Sequence, residues 1–237
     1  MSQFNKVGVM QPYLFPYLGY FQLIQAVDSL VFYDDVNFIK QGWIHRNRIL
    51  VEGSEHLITF PCLGISSYKL IKDIGVDTDD KAYKKILKKI FLNYKIAPNF
   101  KQVFPLIETI LTKEYDSIAS LSIESIYEVS KYIGINTNFY TSSMHFSQSK
   151  GLAKADRLID ITKNLNSTKY INVFGGKELY DKQYFLENGI ELNFLKTQLN
   201  PYKQFEEPFC PGLSIIDVLM FNDLTSIRKE LLNYTLV

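Results

Sequence analysis

The chain has 237 residues, 46% of them hydrophobic, which is enough to bury a full core in one large domain or two closely packed lobes and excludes a disordered chain. Lys and Arg number 26 against 25 Asp and Glu, so no surface collects nucleic-acid phosphates wholesale, no DNA partner is expected, and any anion site must be local. Cys62 and Cys210 stand far apart without a CxxC partner, which argues against a zinc knuckle or a disulfide framework and predicts two reduced core thiols.

The first residues, Met1-Ser2-Gln3-Phe4-Asn5-Lys6, carry no signal-peptide pattern. Every apolar run is interrupted or shorter than the roughly 20 residues that span a bilayer, so a cytoplasmic protein without a membrane span is expected. Val7-Gly8-Val9-Met10 reads as a buried strand that enters a loop at the turn-forming Gln11-Pro12 and Pro16. Phe21, Leu23, Ile24 and Val27 then share a helical face, and Leu30-Val31-Phe32-Tyr33 is a second β-rich run. Strand, helix and strand within about thirty residues is the minimum for a βαβ crossover. Asp34 and Asp35 follow the second strand, at the edge where open parallel sheets gather ligands.

Residues 55–61 form another candidate strand. Between 81 and 94, Tyr83, Ile86, Leu87, Ile90, Phe91 and Tyr94 recur at helical spacing. Lys84, Lys85, Lys88 and Lys89 occupy the other face, as a solvated surface or a site for an anionic partner. Two more helices are marked by Val103, Leu106, Ile107, Ile110 and Leu111, and by Ile118, Leu121, Ile126, Val129 and Ile133. Residues from about 79 to 133 therefore read as a helical insertion in a single domain, 1–237. After Gly134 the pattern alternates again: strand 137–140, helix 152–165, strand 170–174, helix 181–187 and strand 190–195, with Gly189 as a helix C-cap. The pattern predicts an α/β fold with a mostly parallel sheet, Rossmann-like βαβ units and a helical insertion in mid-chain.

The chemistry concentrates in two early clusters. The loop Gln11-Pro12-Tyr13-Leu14-Phe15-Pro16-Tyr17-Leu18-Gly19-Tyr20 has two prolines that stiffen it, and a stiff loop before a helix can aim N–H groups at an anion; the alternative is a structural loop braced by aromatics. Lys40, Trp43, Arg46, Asn47 and Arg48 form the second: arginine forks suit phosphate or carboxylate, and Trp43 can stack on a base or sugar ring. His45 is a proton-exchange candidate or a structural histidine. Asp34 or Asp35 can bind Mg²⁺ or act as a base, but neighbours on a strand point to opposite faces, so only one is expected to reach a site. Gly175-Gly176 lets backbone approach a phosphate or makes a tight turn, with Tyr180 just beyond. His56 and His145 have no ligand-spaced Asp, Glu or Cys, and no metal site is expected.

Met10-Gln11-Pro12-Tyr13, Pro16, Gly19-Tyr20-Phe21, Asp28, Tyr33-Asp34-Asp35-Val36, Lys40, Trp43 and Arg46-Asn47 together resemble the signature of the WbqC-like family. Resemblance continues through Leu158-Ile159, Tyr180, Phe185, Gly189-Ile190 and Leu213-Ser214-Ile215-Ile216-Asp217. It departs near Gly175, where Asn172-Val173-Phe174 stands in place of a small Ser-Gly type loop. The resemblance implies work on nucleotide-linked amino sugars of surface polysaccharide such as the O-antigen of lipopolysaccharide, with transfer of glycine or another acyl group to the sugar amine. Lys40, Arg46 or Arg48 would then hold phosphate, and His45, Asp34 or Asp35 would serve as base. The alternative is a non-catalytic nucleotide-sugar or carbohydrate-binding protein of the same pathway. The opening strand, Pro-rich loop, helix and Asp-ended strand are also similar to nucleotidylyltransferase-type folds, in which case ATP and Mg²⁺ enter through an adenylate.

Overall fold

The computed structural model describes residues 5–237; residues 1–4, to which the reading of a leader-free start also applied, lie outside the described residues. Strand β1 (Lys6–Met10) passes through loop 11–17 into helix α1 (Leu18–Ala26) and returns as β2 (Ser29–Phe32), parallel to β1 with Val7 opposite Ser29 and Met10 opposite Phe32. Every α1 residue except Gln25 is buried, as expected of a helix apolar on nearly all sides. The Nε2 of its buried Gln22 donates to the carbonyls of Gln198, Glu230 and Asn233, which ties α1 to the end of the chain, while Oε1 is left without a partner.

Next comes a hairpin, β3 (Arg46–Val51) and β4 (Ser54–Thr59), which stands apart from the main sheet and pairs antiparallel with Arg46 opposite Thr59. The candidate strand at 55–61 is thus half of a separate hairpin. Its partner lies in the stretch whose charges hide any strand periodicity. Three helices follow, α2 (Lys81–Tyr94), α3 (Phe100–Thr112) and α4 (Ile118–Ile133); α3 and α4 bury most of the face their sequence period indicates, whereas α2 buries Tyr83, Ile90 and Tyr94, half-buries Ile86 and Leu87 and leaves Phe91 exposed. Asp80 caps α2 through the amide of Ala82, Ser117 and Ser120 form a capping box on α4, and Gly134 closes α4 at φ 89°, a left-handed conformation that favours glycine.

The sheet resumes with β5 (Asn138–Thr141), the short helix α5 (Ser142–His145), α6 (Lys154–Asn164), β6 (Lys169–Val173), α7 (Lys182–Glu187) and β7 (Glu191–Thr197). The chain ends in α8 (Ile215–Phe221), α9 (Leu224–Glu230) and β8 (Tyr234–Leu236). The order is β5-β2-β1-β6-β7-β8, all parallel except β8, so the second run of strands continues the first sheet. This is the doubly wound order of Rossmann-type proteins, in which the strand sequence reverses direction between β1 and β6.

One core lies on the α1 side of the sheet and extends into α2, α3, α4 and α8; a smaller one, built from Leu158, Ile161, Tyr170, Phe185 and Phe194, lies on the other. The helices are fastened through Asp217, wholly buried in α8, which accepts hydrogen bonds from Tyr94 on α2 (2.8 Å), Tyr202 (2.5 Å) and Gln204 (2.8 Å). Burial nevertheless pushes its carboxyl above the usual range, against those donors.

Candidate functional site

Loop 11–17 is held rigid from several directions. Phe15 sits at φ 46°, a left-handed conformation that costs a non-glycine residue about 1–3 kcal/mol and persists only where the surroundings fix it. Here Asn47 donates to the carbonyls of Phe15 and Leu14, Ser214 donates to the Phe15 carbonyl (2.8 Å), and Ser125 accepts from its amide (3.3 Å). The Tyr20 hydroxyl closes the loop on the Gln11 carbonyl (2.9 Å). Gly19 is required by close approach: a Cβ there would lie 2.5 Å from Thr197 Oγ1 and 2.6 Å from Tyr17 Cζ.

The braced loop forms one side of a cleft of about 370 Å³, within the range of small-molecule sites. Met10 at the end of β1 and Val173 at the end of β6 contribute from the sheet, Tyr13, Pro16, Tyr17 and Tyr20 from the loop and α1, Trp43, Asn47 and Arg48 from the opposite side, and Leu199 and Gly212 from the segment after β7. The cleft therefore opens at the carboxyl ends of β1 and β6, where the strand order reverses and doubly wound proteins bind ligands. The rings of Tyr13 and Tyr20 are 5.7 Å apart and tilted. Burial raises both phenols above their ordinary pKa, so they are neutral hydrogen-bonding groups at physiological pH. Trp43 is 46% exposed, and the guanidinium groups of Arg46 and Arg48 lie 6.0 and 5.4 Å from its ring.

The arginines are partly committed. Arg48 pairs with Glu55 (3.0 Å) and donates to the Gly212 carbonyl (3.1 Å), and Arg46 Nε donates to the Gly42 carbonyl (2.9 Å). Lys40 is exposed and outside the cleft lining. His45 is outside the cleft lining, 3% exposed and 5.1 Å from the Phe38 ring, with Nδ1 unpartnered; burial, aided by Arg46, lowers its pKa and keeps it neutral.

Asp34 and Asp35 are brought together elsewhere. The expectation that they face opposite ways is corrected: they lie just beyond β2, free of its alternation, and both turn to Ser142, at 3.0 and 2.5 Å. Asp34 also accepts from the Ser143 amide (3.0 Å) and hydroxyl (2.6 Å), and Asp35 pairs with Arg157 (2.6 Å), whose guanidinium lies 4.7 Å from the Tyr33 ring. Burial opposes ionisation of Asp35, but the hydrogen bonds from Arg157 and Ser142 outweigh it and hold its carboxyl below the usual range. This knot is buried and does not line the cleft. Gly176 packs against the Asn172 side chain, Gly175 faces open space, and Tyr180 stands edge-on to Phe185, 6.0 Å away, on the far side of the sheet from α1.

Thus Tyr13, Pro16, Tyr20, Trp43 and Asn47 converge with Arg48, while Asp34, Asp35, His45, Lys40 and Tyr180 do not join them. Met10, Tyr17, Val173, Leu199 and Gly212 complete the lining; of these Met10 and Tyr17 stood in conspicuous motifs, and Leu199 and Gly212 fall in an irregular stretch that carries no periodicity. Cys62 and Cys210 are free thiols, each half-buried, and no group of three or more His, Cys, Asp or Glu among the described residues could hold a metal. No helix among the described residues is long and apolar enough to cross a membrane.

Fold and site define a doubly wound α/β protein with an aromatic-lined cleft at its topological switch point. The chain belongs to the WbqC-like protein family, whose sequence model matches residues 11–229. It is similar to the uncharacterized protein Rv1507c of Mycobacterium tuberculosis (strain ATCC 25618 / H37Rv), with 28% identity over 221 residues that cover 92% of this chain and 94% of the relative. No solved structure matches it.

Proposed function

We propose that the protein is a transferase that binds a nucleotide-linked amino sugar in the switch-point cleft and moves a glycyl or other acyl group onto the sugar amine, in the synthesis of surface polysaccharide such as O-antigen. The supporting observation is the cleft lining: aromatic side chains of Tyr13, Tyr17 and Trp43 for base and sugar, with arginines beside the tryptophan for a phosphorylated group. In the transfer an amide bond forms between sugar nitrogen and acyl carbon, the donor's leaving group departs, and the amine gives up a proton.

A second reading, a non-catalytic nucleotide-sugar-binding protein of the same pathway, is favoured by one observation. The residues lining the cleft include no carboxylate and no imidazole, because Asp34, Asp35 and His45 are buried outside it. Turnover separates the two. Purified protein given a nucleotide-linked amino sugar, glycine and ATP yields a mass-shifted product under the first reading and binding alone under the second. In either case Trp43→Ala weakens the sugar nucleotide by about tenfold through lost stacking; unchanged affinity in a folded variant places the ligand elsewhere.

A further inference from the structure

At a topological switch point the chain leaves neighbouring strands toward opposite faces, so the crevice between them has two walls. The aromatic cleft uses one, the loop after β1. On the opposite side the chain leaves β6 through the 3-10 segment Phe174–Leu179, which adjoins the cleft residue Val173 in the chain but does not itself line the aromatic cleft. Ile171, Val173 and Leu195 pack on the α1 side, whereas Tyr170 and Phe194 belong to the other core, and strand alternation puts Lys196 on the same side as Phe194. There the ammonium groups of Lys177 and Lys196, from different elements, each stand 5.6 Å from the centre of the Phe174 ring. Neither has a carboxylate within ion-pair distance among the described residues. Beside them a Cβ on Gly175 would meet nothing within 4 Å, so the backbone there is open to a ligand.

Two unneutralised cations drawn to one aromatic ring repel each other and gain from an anion that takes both. The arginines across the crevice are less available, since Arg48 is already engaged by Glu55 and Gly212 and Arg46 by Gly42. We infer that Lys177 and Lys196, with the Gly175 backbone, form the phosphate subsite of the crevice and take the diphosphate of a nucleoside-diphosphate ligand whose ring portion lies in the tyrosine cleft. The inference rests on the reading of the cleft as a nucleotide-sugar site, but assigns the charge recognition to the second wall.

The test is calorimetric titration of the full chain with pyrophosphate, UDP and uridine, comparing wild type, Lys177→Gln/Lys196→Gln, and a control of equal charge change on the exposed face of α2, Lys84→Gln/Lys88→Gln. The subsite predicts that the first double variant weakens pyrophosphate and UDP by about tenfold or more, the usual scale for losing charge-assisted hydrogen bonds, and leaves uridine unchanged. The control matches wild type for all three. No pyrophosphate binding by wild type, wild-type affinity in Lys177→Gln/Lys196→Gln, or an equal loss in the α2 control each overturns the inference. Lysine-dependent pyrophosphate binding without product from a nucleotide-linked amino sugar supports the subsite and sinks the transfer.

Discussion

Two polar regions at the carboxyl edge of the same sheet are built in contrary ways. In the knot beyond β2, Asp34, Asp35, Ser142, Ser143 and Arg157 direct their polar atoms at one another in the interior. In the cleft beyond β1 and β6, Tyr13, Tyr17, Trp43 and Arg48 border an open volume. A polar group whose partners are already supplied stabilises a conformation, whereas one that faces a cavity is available to a ligand. Residue type alone therefore misleads: the acidic pair looks like catalytic machinery in sequence and serves as a clasp between β2, α5 and α6.

Arg157→Met sharpens this contrast most. It leaves Asp35 buried without its cation, and equilibrium urea unfolding should show a loss of about 3–5 kcal/mol. The same clasp carries a pH signature. Because the Asp35 carboxyl titrates lower when folded than when unfolded, its contribution is present above the unfolded carboxylate value of about 3.9 and disappears as pH falls through the folded one. Wild-type stability should therefore fall more steeply on acidification in that window than stability of Asp35→Asn, and parallel profiles would remove the clasp role.

Gly19→Ala tests the cleft side. The added methyl meets Thr197 and Tyr17, so a loss of about 1–3 kcal/mol is expected, with weakened ligand binding because Tyr17 must move; thermal unfolding and a binding titration check both parts. The smallest effect belongs to Glu55→Gln, which breaks a half-exposed pair with Arg48 and should cost at most about 1 kcal/mol. A larger loss in urea unfolding would show that the pair braces the cleft rather than decorating its rim.

Much of the architecture was legible in the chain. The strands at 7–10, 30–33, 137–140, 170–174 and 190–195 and the helices of the insertion follow from apolar periodicity, because a strand or helix that buries one face must repeat at its own period. The loop 11–20 stood out because prolines and tyrosines at such density serve no ordinary core. The hairpin strand β3 stayed hidden because Arg46, Asn47 and Arg48 carry charge and amide where alternation would be sought. What only the tertiary structure decided is which side chains meet: Ser142 lies 107 residues from Asp35, Arg157 lies 122 away, and Val173 reaches Met10 because β6 docks beside β1. Local sequence fixes the period of each element, but strand order and the convergence of distant loops are set by packing energies summed over the whole chain, and those place the cleft at the switch point and bury the carboxylates beside it.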